Sequence, residues 1–152
     1  MTSDPVDRRA ARVLLLDRQG RLLLLRWSDP RKPESGTWWI TPGGGLEGDE
    51  VWETSAVREL FEETGLRLEA SSLGEPVLER EIEVELDGVR YRQHERFFVA
   101  RVGSHEVDTS GFTELESATV HEHRWWTIEA LANTTEQVSP RNLLAVLGRV
   151  AC

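Results

Sequence analysis

A chain of 152 residues whose one cysteine is the last residue fits a single domain with its own hydrophobic core, residues 1–152, and excludes an internal disulfide. Its formal net charge of -9, from 27 acidic against 18 basic residues, excludes broad non-specific binding to nucleic acid, which needs a basic face to replace phosphate counterions. Residues 1–12 are polar without an apolar leader region, and no run of about 18 apolar residues occurs, so a cytoplasmic protein with no membrane contact is expected.

In chain order, residues 1–9 are polar and expected to fray. Residues 10–17 and 21–27 are rich in leucine and flank Arg18-Gln19-Gly20, which predicts two central strands around a short turn. Pro30, Pro33 and Gly36 mark a loop that leads into a short strand, Trp38-Trp39-Ile40-Thr41, ending at Pro42. A glycine loop containing Gly43, Gly44, Gly45 and Gly48 follows. The next segment repeats Trp52, Ala56, Val57, Leu60, Phe61 and Thr64 at three- and four-residue steps, the stripe of an amphipathic helix, and Gly65 supplies its C-cap.

Residues 77–102 are extended and broken once by Asp87-Gly88, a hairpin signal. In the second arm Arg90, Arg92, His94 and Arg96 fall on one face, and Tyr91, Gln93, Glu95, Phe97 and Val99 on the other. Residues 103–117 read as loop and 118–126 as a strand. Thr127 is the expected N-cap of a short helix, and a last helix is expected with Ser139 as N-cap and Pro140 in its first turn. Strands, helix, strands and helix in this order predict an α/β fold with a mixed β-sheet between helices.

Within residues 44–66, Glu59, Glu62 and Glu63 are helical neighbours and share one edge. Three carboxylates this close repel one another unless something positive lies between them. The glutamates of an arbitrary helix face are ordinarily just solvated, and the glycine-rich approach is what sets this group apart. Gly44, five residues, Glu50, seven residues, then Arg58-Glu59-Leu60-Phe61-Glu62-Glu63-Thr64-Gly65-Leu66 resembles the Nudix box without a departure, and Pro42-Gly43 and Glu47 resemble the usual approach to it.

That resemblance implies an α/β/α sandwich and Mg²⁺-dependent hydrolysis, with Mn²⁺ able to substitute, of a diphosphate in a nucleoside diphosphate linked to another moiety. It implies Glu59, Glu62 and Glu63 as metal ligands with the Gly44 carbonyl, and Arg58 as a structural arginine that orients carboxylates such as Glu50. Glu59 is candidate ligand or base, and Glu47 and Glu50 are further acidic candidates. Glu114 and Glu116, in the later loop from which some members draw their base, compete with a plain surface reading. Arg26, Arg90, Arg92 and Arg96 are candidate phosphate contacts because guanidinium pairs bidentately with phosphate, the competing reading being exposed cations that offset an acidic surface. His94, His121 and His123 read as surface or strand-face residues. In each adjacent tryptophan pair only one ring can face the core or the cleft; Trp52 is assigned to the core and Trp39 is a candidate for stacking a base. The expected partner is a small phosphorylated molecule, a nucleotide first. A homodimer is one assembly left open. The alternatives are a non-nucleotide pyrophosphate substrate and a non-catalytic, nucleotide-sensing module of the same fold.

Overall fold

The computed structural model describes residues 4–86, 88–112 and 114–150, with only the backbone at 114, 115 and 118. Residues 1–3 of the segment expected to fray, Asp87 of the expected turn, the Glu114 side chain and Cys152 lie outside the described residues. Eight strands form one mixed sheet in the order β5-β6-β1-β2-β3-β8, with β4 on β1 and β7 on β2. They are β1 (Val6–Leu16), β2 (Leu22–Ser28), β3 (Thr37–Ile40), β4 (Gly43–Gly45), β5 (Leu78–Leu86), β6 (Val89–Arg101), β7 (Val120–Trp126) and β8 (Val138–Ser139). The helices are α1 (Trp52–Thr64), α2 (Glu114–Thr119), α3 (Ile128–Asn133) and α4 (Leu143–Val150).

Strand β1 is the spine. It runs parallel to β6 from Val6↔Tyr91 to Leu16↔Arg101, and its alternate side chains feed two cores. Ala11, Val13 and Leu15 pack with Ala56 and Leu60 of α1, whereas Leu14 and Leu16 pack with Trp126, Val146 and Leu147 on the other face. Each fully buried leucine contributes about 1.5–3 kcal/mol of transfer free energy, so the two cores fix α1 and α4 on opposite faces of the sheet. The sandwich expected from the sequence is the observed architecture.

Several elements differ from expectation. β1 begins at Val6, inside the segment expected to fray, because pairing with β6 holds its polar first residues. Part of the glycine loop is strand β4, paired with Ala10, Ala11 and Arg12 of β1. Residues 114–119 form α2, so β7 starts two residues later than read. Ser139 caps no helix: it pairs with Ile40 in β8, its hydroxyl accepts a hydrogen bond from Arg80 at 3.1 Å, and α4 begins only at Leu143. Phe61 is 37% exposed instead of core, with the Arg67 guanidinium 4.0 Å over its ring. Other features agree. Gly65 is left-handed with φ 78° and donates its N–H to the Phe61 carbonyl, the Thr127 hydroxyl accepts from the Ala130 N–H, and Leu86 pairs with Val89 across the turn.

The β4 backbone lies so close to β1 that only glycine fits. A Cβ at Gly43 would stand 2.3 Å from the Ala11 carbonyl oxygen, at a φ of 149°. On the face of the sheet opposite α1, beside the same stretch of β1, lies a buried polar network. The Glu95 side chain, 1% exposed, accepts hydrogen bonds from Arg12 Nε at 3.2 Å, from Gln93 Nε2 at 2.7 Å and from Arg80 Nε. Burial pushes its carboxyl up, but Arg12, Arg80 and Gln93 outweigh burial and hold it below its ordinary value.

Two outcomes follow from these contacts. Gly43→Ala is expected to destabilise the fold by about 2 kcal/mol or more, read as a lower urea midpoint, because neither backbone can retreat; an unchanged midpoint contradicts the packing. Glu95→Gln leaves two guanidiniums short of their charge partner and is expected to lose roughly 3 kcal/mol at neutral pH. Because the folded carboxyl is held low, its contribution is present above the ordinary value of 4.5 and disappears as pH falls through the depressed one. The gap between wild type and variant therefore closes on acidification, and urea melts showing a gap independent of pH contradict the assignment.

Candidate active site

Helix α1 and strand β4 build the site together. A Cβ on Gly44 would lie 2.7 Å from the Glu59 carboxylate, so the absent side chain is what lets this carboxylate rest on the strand. The N–H of Gly43 donates to Glu63 Oε1 at 2.8 Å. Glu63 is 4% exposed, on the buried side of the edge it shares with Glu59 and Glu62. Burial, then the Glu59 charge, push its carboxyl well above the usual range, against the Gly43 N–H and Arg12, which favour ionisation. Burial also raises Glu59, partly offset by Arg58.

One carboxylate oxygen from each of Glu59, Glu62 and Glu116 lies within 4.8 Å of the others. Two of these residues come from α1 and the third from α2, about fifty positions on in the chain. The loop glutamate singled out by sequence is thus brought to the helical ones. The donors are all hard oxygens, and the charges are alike and close, a combination that suits a divalent cation such as Mg²⁺.

Arg58 organises the group from one side. Its Nε and Nη2 grip Glu50 bidentately at 2.7 and 2.9 Å, its Nη1 reaches Glu59 at 3.0 Å and Glu62 at 3.3 Å, and Nη2 also donates to the Gly45 carbonyl at 3.1 Å. These bonds hold Glu50 below the ordinary carboxylate range and raise Arg58 itself. Glu50 is therefore committed to the arginine. Glu47 is 73% exposed at the rim, 3.7 Å from Arg58.

The remaining candidates divide. Arg96 is level with Gly44, with β1 between them, and its guanidinium lies 4.5 Å over the half-buried Trp52 ring and 3.0 Å from Glu79. Arg92 and Arg90 sit about 13 and 20 Å further along β6 and pair with Asp7 and Glu83, so the structure does not bring them to the carboxylates. Trp39 is corrected from ligand stacking to core: it is 2% exposed and packs edge-on against Trp126, centroids 5.1 Å apart. Arg26 stands on β2 with its guanidinium 3.9 Å from Glu122 and its Nε buried without a partner. His94 bridges Asp7 and Glu81, and His121 meets the Ser28 hydroxyl, both at the surface.

Sequence reasoning missed Arg8, Arg12, Gln93 and Glu95. Arg12 carries the Glu95 network to the site, because its Nη1 donates to the Thr41 carbonyl at 3.1 Å, two residues before Gly43. The signal was present: Gln93 and Glu95 occupy the same strand face as Tyr91, Phe97 and Val99, where a polar pair needs buried partners.

No described helix is long and apolar enough to cross a membrane. The model of the NUDIX domain family matches residues 6–147. A MutT-like protein of Streptomyces ambofaciens is 42% identical over 72 residues, 47% of this chain and 43% of that protein. An RNA pyrophosphohydrolase of Erythrobacter litoralis is 32% identical over 109 residues, 66% of this chain and 65% of that protein. The chain thus spans less than two thirds of either curated relative. Among solved structures, the MutT protein of Methanosarcina mazei superposes with a TM-score of 0.70 at 20% identity, over 99% of this chain and 96% of that one, a likeness of fold. With the matched domain covering nearly the whole sequence and the glycine strand, arginine clamp and carboxylates all in place, the chain belongs to the NUDIX family.

Proposed function

We propose that this chain is a pyrophosphohydrolase that cleaves the diphosphate of a nucleotide-derived substrate with a divalent cation, Mg²⁺ first and Mn²⁺ as its substitute. The observation that carries the reading is the convergence of Glu59, Glu62 and Glu116 from two separate helices to within 4.8 Å. Glu59, Glu62 and Glu116 would hold the cation, with Glu63 and the Gly44 carbonyl as further ligands. When bound, the ion offsets charge on the phosphate oxygens and lowers the pKa of an attached water.

The protein groups have distinct tasks in this reading. Arg58 fixes Glu59 and Glu62 so that neither carboxylate turns to solvent, with Glu50 anchoring the arginine in turn. Water adds to one phosphorus, the bridging P–O bond breaks, and two phosphorylated products leave. The proton of the attacking water would pass to a carboxylate of the cluster, Glu116 or Glu59, the latter raised above its ordinary value by burial. Arg96 and Arg26 remain as candidate phosphate contacts. The Erythrobacter relative's name, an RNA pyrophosphohydrolase, supports the bond type.

The test is a panel of nucleoside triphosphates, dinucleoside polyphosphates, nucleoside-diphosphate sugars and 5′-triphosphorylated RNA, with product analysis. At least one class is expected to turn over with Mg²⁺ or Mn²⁺ and to stop on addition of chelator. Turnover that survives chelation contradicts the metal role, and a silent panel contradicts the hydrolase reading. Glu63→Gln keeps the hydrogen bond from Gly43 and removes a buried charge, so its melting temperature should hold or rise while kcat falls about a hundredfold or more. Near-normal turnover in that variant overturns the ligand assignment.

A further inference from the structure

Three arginines lie against the glycine strand, and two of them are matched. Arg12 pairs with Glu95 and Arg58 with Glu50, Glu59 and Glu62. Arg8 makes no ion pair among the described residues, in a chain where 27 acidic residues outnumber 18 basic ones. Its one side-chain hydrogen bond among the described residues is from Nη1 to Gln93 Oε1, a neutral acceptor. Gln93 is buried, and its own Nε2 donates to Glu95, so the amide cannot turn. The Glu95–Gln93 pair thereby holds the Arg8 fork in one orientation, half-buried, with Nε and Nη2 free of acceptors among the described residues.

The position of that fork is set by β4. Successive residues of a strand face opposite sides, and here Gly44 faces Glu59 whereas Gly45 faces Arg8: a Cβ on Gly45 would lie 2.5 Å from Arg8 Nη2. Among the described residues β4 pairs with β1 alone, so no strand lies along its other edge. A diphosphate laid across that edge would have the Glu59 carboxylate on one side and the Arg8 fork on the other. Burial and the neighbouring Arg12 charge disfavour the Arg8 cation, the Glu59 and Glu95 charges offset them only in part, and an anion supplied from outside would add to that offset.

We propose that Arg8 is a substrate-binding residue, its guanidinium gripping a phosphate of the substrate from the face of the glycine strand opposite Glu59. This rests on the diphosphate reading of the site. Planar guanidinium suits two phosphate oxygens at once, and Lys offers only a point charge. Gln93 and Glu95 are positioning residues for it, and Gly45 is glycine because the fork needs its space.

Calorimetry with methylene diphosphonate and Mg²⁺ tests this without turnover, since the probe has no bridging oxygen to break. Wild type is expected to bind; Arg8→Gln should weaken Kd about tenfold and Arg8→Lys about threefold. Arg18→Gln, on the turn after β1, should bind as wild type does. Wild-type affinity in Arg8→Gln, or no binding by the wild type, overturns the proposal. If Arg8→Gln fails to fold in a thermal melt, Arg8→Lys decides, and wild-type affinity there overturns it. Arg8-dependent binding alongside a silent substrate panel sinks the hydrolase reading alone, whereas turnover with Arg8-independent binding sinks this one alone.

Discussion

Acidic groups crowded into one corner of the fold set the terms for this molecule. Glu59, Glu62 and Glu116 bring oxygens within 4.8 Å, and Glu63 lies buried directly behind them. In water such a group would spread apart. Here Arg58 ties two members to a fixed point, and the Gly43 N–H ties Glu63 to the backbone of β4. Burial is the first cause that raises the carboxyls of Glu59 and Glu63, and neighbouring carboxylates add to it. In the proposed reading a divalent cation would offset this crowding, and cation binding and the geometry of the site would then be one problem.

The remainder of the sheet keeps β4 still. β1 presents Ala10 and Ala11 beneath it, small enough for the glycine backbone to sit close, and continues as leucine and valine into two cores. On the α1 side those cores fix the helix that carries Glu59 and Glu62. On the opposite side a second set of charges, Glu95 with Arg12 and Arg80, is nearly fully matched, and Arg12 reaches Thr41 at the entrance to β4. The glycine strand thus has strained acidity on one face and satisfied ion pairs on the other.

Local patterns made α1, its Gly65 cap, the Thr127 cap and the alternation of β6 legible in the sequence, because helix and strand periods act over a few residues. The box motif carried the carboxylates with it. What was not legible depends on partners distant in the chain. Three glycines have little strand propensity, and β4 exists only because β1 offers a ladder at that place. Residues 7–9 are polar yet held in the sheet through β6. The burial of Glu63 does not follow from its helical spacing, since it depends on β4, whose Gly43 N–H meets its carboxylate. Phe61 fits the apolar stripe, but the face it occupies meets Arg67 and solvent. Trp39 and Trp38 could not be told apart by alternation alone; the edge-on contact with Trp126 decides which ring is inside.

The central claim is that the glycine strand and the carboxylates of α1 and α2 form one cation site. The most direct test is anomalous scattering from a crystal soaked in Mn²⁺. The account predicts a peak among the carboxylates of Glu59, Glu62 and Glu116, beside Gly44. A protein that gives no peak there at saturating Mn²⁺, or binds the ion elsewhere with Glu59 and Glu62 left to Arg58, contradicts it.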